Sequence, residues 1–383
     1  MNLTPPDVVA FIKEQYKGAD QIPLHEPVFD DRELELVSSS IRSTFVSSVG
    51  EFVDEFERAL ASYVGAPRVV VTSSGTSALH VSLHALGVSH GDVVVTQPLT
   101  FVATCNAIRQ AGAEPAFVDI DSETLGMSPD SLSKFLETKA ELQGSQCVLK
   151  ENGQPIKVVL PMHTLGHPVD LHGLGEVCAA WHLDLVEDAA EALGSQFHGR
   201  HVGNVGRLSA LSFNGNKIIT TGGGGAIICS DFELGVRIKH LTTTAKVNHP
   251  HDYVHDEFGF NYRLPNLNAA LGCAQLEKIE TFLSQKRERA REYKAFFAGS
   301  EYQFIEEPRD SVSNYWLNAV LCAGAKQRDE LITQASALGD YLRPAWELMH
   351  RLPMYRSCAR SDLSISEQIR EKLVCLPSGC VFD

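Results

Sequence analysis

The chain has 383 residues, 44% hydrophobic and 21% charged, with a formal net charge of −15 at pH 7. That length holds two or three domains with a substantial core, and the composition excludes a disordered polymer. The acidic balance excludes a general nucleic-acid binder, which needs Lys and Arg to neutralise phosphates, but leaves room for one phosphate held by backbone N–H groups. The nine cysteines form neither CxxC pairs nor a Cys/His run with zinc spacing, so no metal site is expected, and scattered thiols suit a reducing compartment. No apolar run reaches membrane-spanning length, and the N-terminus lacks a basic stretch leading into an apolar one. The expectation is a cytoplasmic protein without a membrane partner.

In chain order, a short amphipathic helix follows Pro6, with Val9, Phe11, Ile12 and Tyr16 as its greasier positions. From about residue 30 to 230, short apolar runs alternate with helical patterns, as a largely parallel α/β sheet requires. Strands are predicted at Val69–Val71, Val93–Val95, Ala116–Ile120, Val158–Pro161, Leu183–Val186, Leu208–Phe213 and Ala226–Cys229. Ser128-Pro129 opens a helix with proline in its first turn. His240 to Tyr262, rich in His, Asp, Asn and aromatics, reads as a long functional loop. One long helical stretch then runs from Pro265 to Phe297. A strand at Tyr315–Leu321 and a helix at Gln327–Leu338 complete a smaller α+β domain. The expected division is an N-terminal helix and arm at 1–30, a large domain at 31–245 and a C-terminal domain at 246–383.

Three segments carry chemistry. Ser73-Ser74-Gly75-Thr76-Ser77-Ala78-Leu79 places a glycine between strand and helix, so the first helical N–H groups converge on one spot suited to a phosphate. Taken alone, a plain capped helix start is the better explanation, and no Gly-Lys-Ser/Thr follows to make a Walker loop. Glu187-Asp188-Ala189-Ala190-Glu191 puts carboxylates at a strand's carboxyl end, where open α/β sheets bind ligands. A carboxylate there holds a protonated ring nitrogen or simply caps a helix. Lys217, in the loop after Ser212-Phe213-Asn214-Gly215-Asn216 and before Thr220-Thr221-Gly222-Gly223-Gly224-Gly225, is either a Schiff-base lysine or a surface one. Those glycines precede a strand and open no helix, which removes a dinucleotide fingerprint.

The order of these pieces resembles the DegT/StrS group of sugar aminotransferases, within the fold-type I pyridoxal-phosphate enzymes. Gly259-Phe260-Asn261-Tyr262-Arg263, Ala269-Ala270-Leu271-Gly272 and Arg343-Pro344 extend the resemblance from about Ile22 to Leu376. It implies pyridoxal 5'-phosphate as cofactor, bound by the large domain. Lys217 matches the lysine that holds the cofactor and moves the proton, and Asp188 the acid paired with the pyridine nitrogen. Phe101 matches the aromatic lying against the ring. Gly75, Thr76, Ser77 and Ser212 match the phosphate site. Asn261 matches an asparagine that reaches the phosphate from a neighbouring copy, which implies a homodimer with shared active sites. Glu191 departs from the Gln or His most often found near the cofactor's phenolic oxygen. Two anionic oxygens in contact repel, so a protonated carboxyl, a bridging water or a tilted side chain is expected there.

The implied reaction moves an amino group from L-glutamate to a nucleotide-linked keto sugar. Segments Leu24–Phe29, Phe45–Val53 and Arg343–Trp346 resemble the subgroup acting on UDP-linked 4-keto-6-deoxy-N-acetylglucosamine, with C3 amination of a related sugar as the alternative. Substrate contacts are expected from His25, Glu26, Phe45, Val46, Ser47, His163, Asn216, His255, Tyr341 and Arg343. A cysteine desulfurase-like enzyme would need a reactive thiol, for which Cys358, Cys375 and Cys380 are candidates by position. A non-catalytic protein on the same fold could dispense with Lys217 or Asp188, and both are present.

Overall fold

The computed structural model describes residues 3–19, 21–337 and 342–381. Helices α1 (Pro5–Gln15), α2 (Asp31–Arg42) and α3 (Glu51–Val64) come first. Strand and helix then alternate through β1 (Arg68–Thr72), α4 (Gly75–Ala85), β2 (Val93–Thr96), α5 (Val102–Gln110), β3 (Glu114–Phe117) and α6 (Pro129–Lys139). A hairpin, β4 (Ala140–Gln143) and β5 (Gln146–Leu149), precedes β6 (Pro155–Leu160), α7 (Leu171–Ala180) and β7 (Asp184–Asp188). The ribbon β8 (Gln196–Phe197) and β9 (Arg200–His201) leads to β10 (Leu208–Ser212), β11 (Gly225–Cys229) and α8 (Phe232–Thr242).

The main sheet runs in the order β1-β11-β10-β7-β6-β2-β3, with the β4–β5 hairpin attached to β6. Contacts from β10 through β7, β6 and β2 to β3 are parallel, while β11 is antiparallel to both its neighbours. Its valine runs are buried on both faces, as parallel strands under helices require. Alternation sends Val69, Val71, Val93 and Val95 into one core and Val70 and Val94 into the other. This is an α/β fold of the expected class; the β4–β5 hairpin lies outside the expectation.

The C-terminal part holds the two-residue strands β12 (Lys246–Val247) and β13 (Val254–His255), then helices α9 (Asn266–Glu277) and α10 (Ile279–Phe297). The elements β14 (Gln303–Phe304), β15 (Ser311–Val312), β16 (Asn318–Leu321), α11 (Ala325–Ala337), β17 (Arg343–Pro344), α12 (Ser364–Lys372) and β18 (Leu373–Leu376) follow. Strands β14, β16, β18 and β17 form a second sheet. The expected single helix from 265 to 297 breaks at Lys278, whose ψ of 1° leaves the helical well and whose ammonium pairs with Asp30 at 3.0 Å and with Glu33. Upstream of the break, α9 packs on α2 and α3 in the main core. Downstream, α10 ends in a separate core, where Tyr293 and Phe297 meet Val8 and Ile12 of α1. The strand expected from Tyr315 starts only at Asn318, because Tyr315 takes a φ of 46° and turns the chain. The loop expected from His240 is shorter: α8 runs to Thr242, and β12 and β13 pair within it. Among the described residues no helix is long and apolar enough to cross a membrane, and no group of three or more His, Cys, Asp or Glu could hold a metal ion.

Candidate active site

The carboxyl ends of β1, β7 and β10 share one edge of the sheet, and the three sequence segments meet there around a cavity of about 290 Å³. From β1 the chain turns directly into α4. Ser74 caps that helix by accepting from Ser77 N–H at 3.0 Å. The first N–H groups of a helix have no carbonyl four residues back, and the positive end of its dipole favours an anion. Gly75 and Thr76 line the cavity at this point, as does Ser212 from the end of β10. Ser77 does not: its N–H and hydroxyl are engaged with Ser74 and Ser73.

Gly225 at the start of β11 is what lets α4 approach so closely. A Cβ there would sit 2.5 Å from the Ser74 carbonyl carbon and 2.6 Å from Gly75 N. Gly225→Ala is expected to cost about 1–3 kcal/mol of stability by overpacking. Denaturant titration measures that loss, together with a weaker hold on inorganic phosphate as the helix start is displaced.

Asp188 ends β7 at the floor of the cavity and is 2% exposed. Thr104 donates to Oδ2 at 2.7 Å and Ala190 N–H to Oδ1 at 3.2 Å, both neutral groups. Burial raises its pKa against those hydrogen bonds and the pull of Lys217. Among the described residues Asp188 forms no ion pair within 4 Å, and its two hydrogen-bond donors leave the carboxyl buried without a full counter-charge.

Lys217 Nζ stands 3.2 Å from Glu191 Oε1 and 3.9 Å from the centre of the Trp316 ring. Glu191 is fully enclosed; its Oε2 accepts from Leu165 N–H at 3.0 Å, and burial, opposed by Lys217, pushes its pKa up to about 7. Trp316 is anchored by donating from Nε1 to the Asn216 carbonyl at 2.7 Å. Phe101, half exposed, lines the same cavity, in edge contact with Trp346 at 6.2 Å. Neither tryptophan is among the expected contacts; Trp316 falls inside the strand expected at Tyr315–Leu321, and nothing local marks it as belonging to a site 100 residues upstream.

A second cavity, of about 400 Å³, shares Asn216, Trp316 and Trp346 with the first. His25 and Arg343 line it, so three expected substrate contacts come together beside Lys217. Others fall elsewhere. Glu26, Phe45, Val46 and Ser47 are exposed, with Phe45 and Ser47 carbonyls accepting from Asn266. Asn261 is exposed and accepts from Arg263, and His255 is exposed and donates to Thr244 O. Tyr341 lies outside the described residues.

His163 corrects the expectation of a substrate contact. It is fully buried, its Nδ1 accepts from Val169 N–H at 3.2 Å, and its Nε2 lies 3.0 Å from Glu187 Oε2, leaving neither nitrogen for a ligand. Glu187 also accepts from the N–H groups of Gly203, Val205 and Gly206 at 2.6–3.0 Å. Burial alone would raise its pKa, but His163 and those N–H groups outweigh it and hold the carboxyl below its usual range. Glu187→Ala leaves them unpaired and is expected to cost about 3–5 kcal/mol. A depressed folded pKa gives stability that is present above the unfolded value and lost as pH falls through the folded one. The gap between wild type and variant in urea melts therefore narrows below about pH 4.

The candidate thiols sit in surroundings that disfavour the thiolate. Burial pushes Cys375 up to about 12 and raises Cys358 and Cys380, the opposite of an activated cysteine. A desulfurase chemistry loses its nucleophile.

Residues 27–382 match the model of the DegT/DnrJ/EryC1/StrS aminotransferase family. The chain belongs to this family. It is a pyridoxal-phosphate-dependent sugar aminotransferase. It is similar to GDP-perosamine synthase of Escherichia coli O157:H7, 36% identical with 93% of each chain covered. It also resembles UDP-4-amino-4,6-dideoxy-N-acetyl-β-L-altrosamine transaminase of Campylobacter jejuni, 33% identical over 71% of this chain and 69% of that one. Among solved structures, the aminotransferase TlmJ from Streptoalloteichus hindustanus superposes with a TM-score of 0.83 at 28% identity, covering 93% of each chain.

Proposed function

We propose that this aminotransferase moves an amino group from L-glutamate to C4 of a nucleotide-linked 4-keto-6-deoxy sugar, with Lys217 as the covalent anchor of pyridoxal phosphate. One observation carries the reading: Lys217 Nζ and the unpaired Asp188 carboxylate line the same cavity as the N-terminus of α4. An amine, an anion and a phosphate site on one cavity are the three groups that the aldehyde, ring nitrogen and phosphate of this cofactor call for. When bound, it supplies an electron sink for the carbon that loses and gains a proton. Asp188 would hold the ring nitrogen protonated, Phe101 would cover the ring, and Gly75, Thr76 and Ser212 would hold the phosphate. Lys217, as a free amine, would move the proton. His25, Asn216 and Arg343 flank the substrate side, and Trp316 and Trp346 keep water from it.

Amination at C4 is supported by the similarity to the Campylobacter transaminase, whose name places its nitrogen at position 4 of a 6-deoxy sugar. The UDP-linked N-acetylglucosamine derivative is the first acceptor to try, with GDP- and dTDP-linked 4-keto-6-deoxy sugars beside it. The test adds L-glutamate to protein mixed with pyridoxal phosphate, follows the visible band, then supplies each acceptor and locates the new amine by NMR. Loss of the band on glutamate and a 4-amino product support the reading. A 3-amino product sinks the C4 assignment, and an unresponsive band sinks the donor.

The active assembly in this reading is a homodimer, with Asn261 of one copy reaching the phosphate of the other. Mixing inactive Lys217→Ala with inactive Asn261→Asp is expected to restore about a quarter of wild-type activity, since mixed dimers carry one intact site. No recovery after dissociation and reassociation removes the shared site.

A further inference from the structure

Glu191 is 2% exposed where it meets the active-site cavity, and Lys217 is the cation it faces. Its Oε1 lies 3.2 Å from Nζ, and its Oε2 is fixed by Leu165 N–H at 3.0 Å. Leu165 itself holds a left-handed φ of 59°, in a turn whose next residue, Gly166, has its carbonyl tied to Ser195 and Ser313. The main chain behind Glu191 is fastened as well: Asn314 donates to Glu191 O at 2.8 Å and to Leu193 O at 2.9 Å. A side chain so constrained cannot swing between partners. The Trp316 ring, 3.9 Å from Nζ on another side, attracts the ammonium but cannot take its proton.

We propose that Glu191 is the counter-charge and proton store of Lys217, a positioning residue that acts through the lysine; this rests on the reading of Lys217 as cofactor anchor. While the lysine amine is free, the pair is ammonium and carboxylate. When Lys217 attacks a carbonyl it must first lose a proton. The N–H bond breaks, an O–H bond forms at Oε1, and the buried pair stays net neutral throughout. Once the lysine is covalently engaged its ammonium no longer stands opposite Oε1, and burial favours the protonated carboxyl. When the amine is released the proton returns. The other titratable groups around the pair are Asp188 from β7, Cys375 from β18 and His25 from the N-terminal arm. Asp188 disfavours the Glu191 carboxylate, burial keeps Cys375 a neutral thiol, and burial with Lys286 and Lys217 keeps His25 neutral. That leaves Glu191 as the acceptor in contact.

The test uses the cofactor-free protein, so it does not depend on turnover. Acetylation of Lys217 by acetic anhydride is followed by peptide mass spectrometry across pH in wild type, Glu191→Gln and Glu191→Asp. Without the counter-charge the ammonium is less stable, so in Glu191→Gln the labelling midpoint falls by at least about one pH unit, a tenfold faster reaction at fixed pH. Glu191→Asp restores part of the shift. An unchanged midpoint in Glu191→Gln overturns the proposal. A second measurement avoids any folding defect of Glu191 variants: infrared difference spectra of Lys217→Met. With its counter-charge removed, Glu191 should keep its protonated C=O stretch to a pH above neutrality; titration in the ordinary carboxyl range also overturns it. Failure of Lys217 as anchor shows separately, as a visible band that persists in Lys217→Ala.

Discussion

Lys217→Ala is expected to abolish the visible band of the protein–cofactor mixture and to lower amino transfer by about 10⁴-fold, the upper range for loss of a positioned base. Lys217 is the only amine among the described residues lining the cavity, so no neighbour can replace it. The phosphate cradle and Asp188 are untouched by the change, and the variant should still retain pyridoxal phosphate through ultrafiltration. That separation of binding from chemistry is the informative outcome. Lys217→Arg keeps a cation for Glu191 and Trp316 but offers no nucleophile, and it should fail equally. If either variant turned over at more than a few per cent of wild type, the anchor would have to lie elsewhere.

Asp188→Asn carries the second large effect. A carboxylate about 4 Å from a ring cation is worth about 4 kcal/mol at an effective dielectric near 20. Desolvation takes back part of this, which leaves about a hundredfold loss in the rate of band disappearance with glutamate. The amide oxygen can keep the Ala190 N–H while the amide nitrogen donates to the Thr104 hydroxyl, which can turn its own proton toward Thr100, so the fold should be little affected, and a melting temperature close to wild type would confirm it. The pH dependence has a definite sign. Burial raises the Asp188 pKa, so on acidification the carboxylate is lost at a higher pH than an ordinary aspartate would allow. Cofactor retention in wild type should fall as that proton goes on. Asp188→Asn should show no such acid limb, and a limb of equal size would assign it to another group.

Legibility in the sequence followed the range of the interactions involved. The strands Val69–Val71, Val93–Val95 and Leu208–Phe213 announced themselves because two-sided burial forces continuous β-branched and apolar runs. The Lys217 and Asp188 segments were each ambiguous alone, and only their order along the chain, through its resemblance to the DegT/StrS group, singled them out. His163 misled for the opposite reason. A histidine near a strand end looks like a ligand contact until its two nitrogens are found occupied by Val169 and Glu187. The break at Lys278 was hidden as well, since no glycine or proline marks it and its cause is a pair of carboxylates, Asp30 and Glu33, some 245 residues away in sequence.

By itself, then, the order of residues determined the alternating α/β class and the burial of the sheet, set by neighbours a few positions apart, and it offered the candidate lysine and acid through a resemblance that spans most of the chain. Tertiary structure alone decided that Trp316 and Trp346 wall the site, that His25 and Arg343 share a cavity next to Lys217, and that Glu191 faces the lysine at 3.2 Å. Those contacts join segments separated by 26 to more than 300 residues: the pairing of β7 with β10 sets Glu191 against Lys217, and the packing of the C-terminal sheet and the N-terminal arm onto the strand ends brings the others within reach.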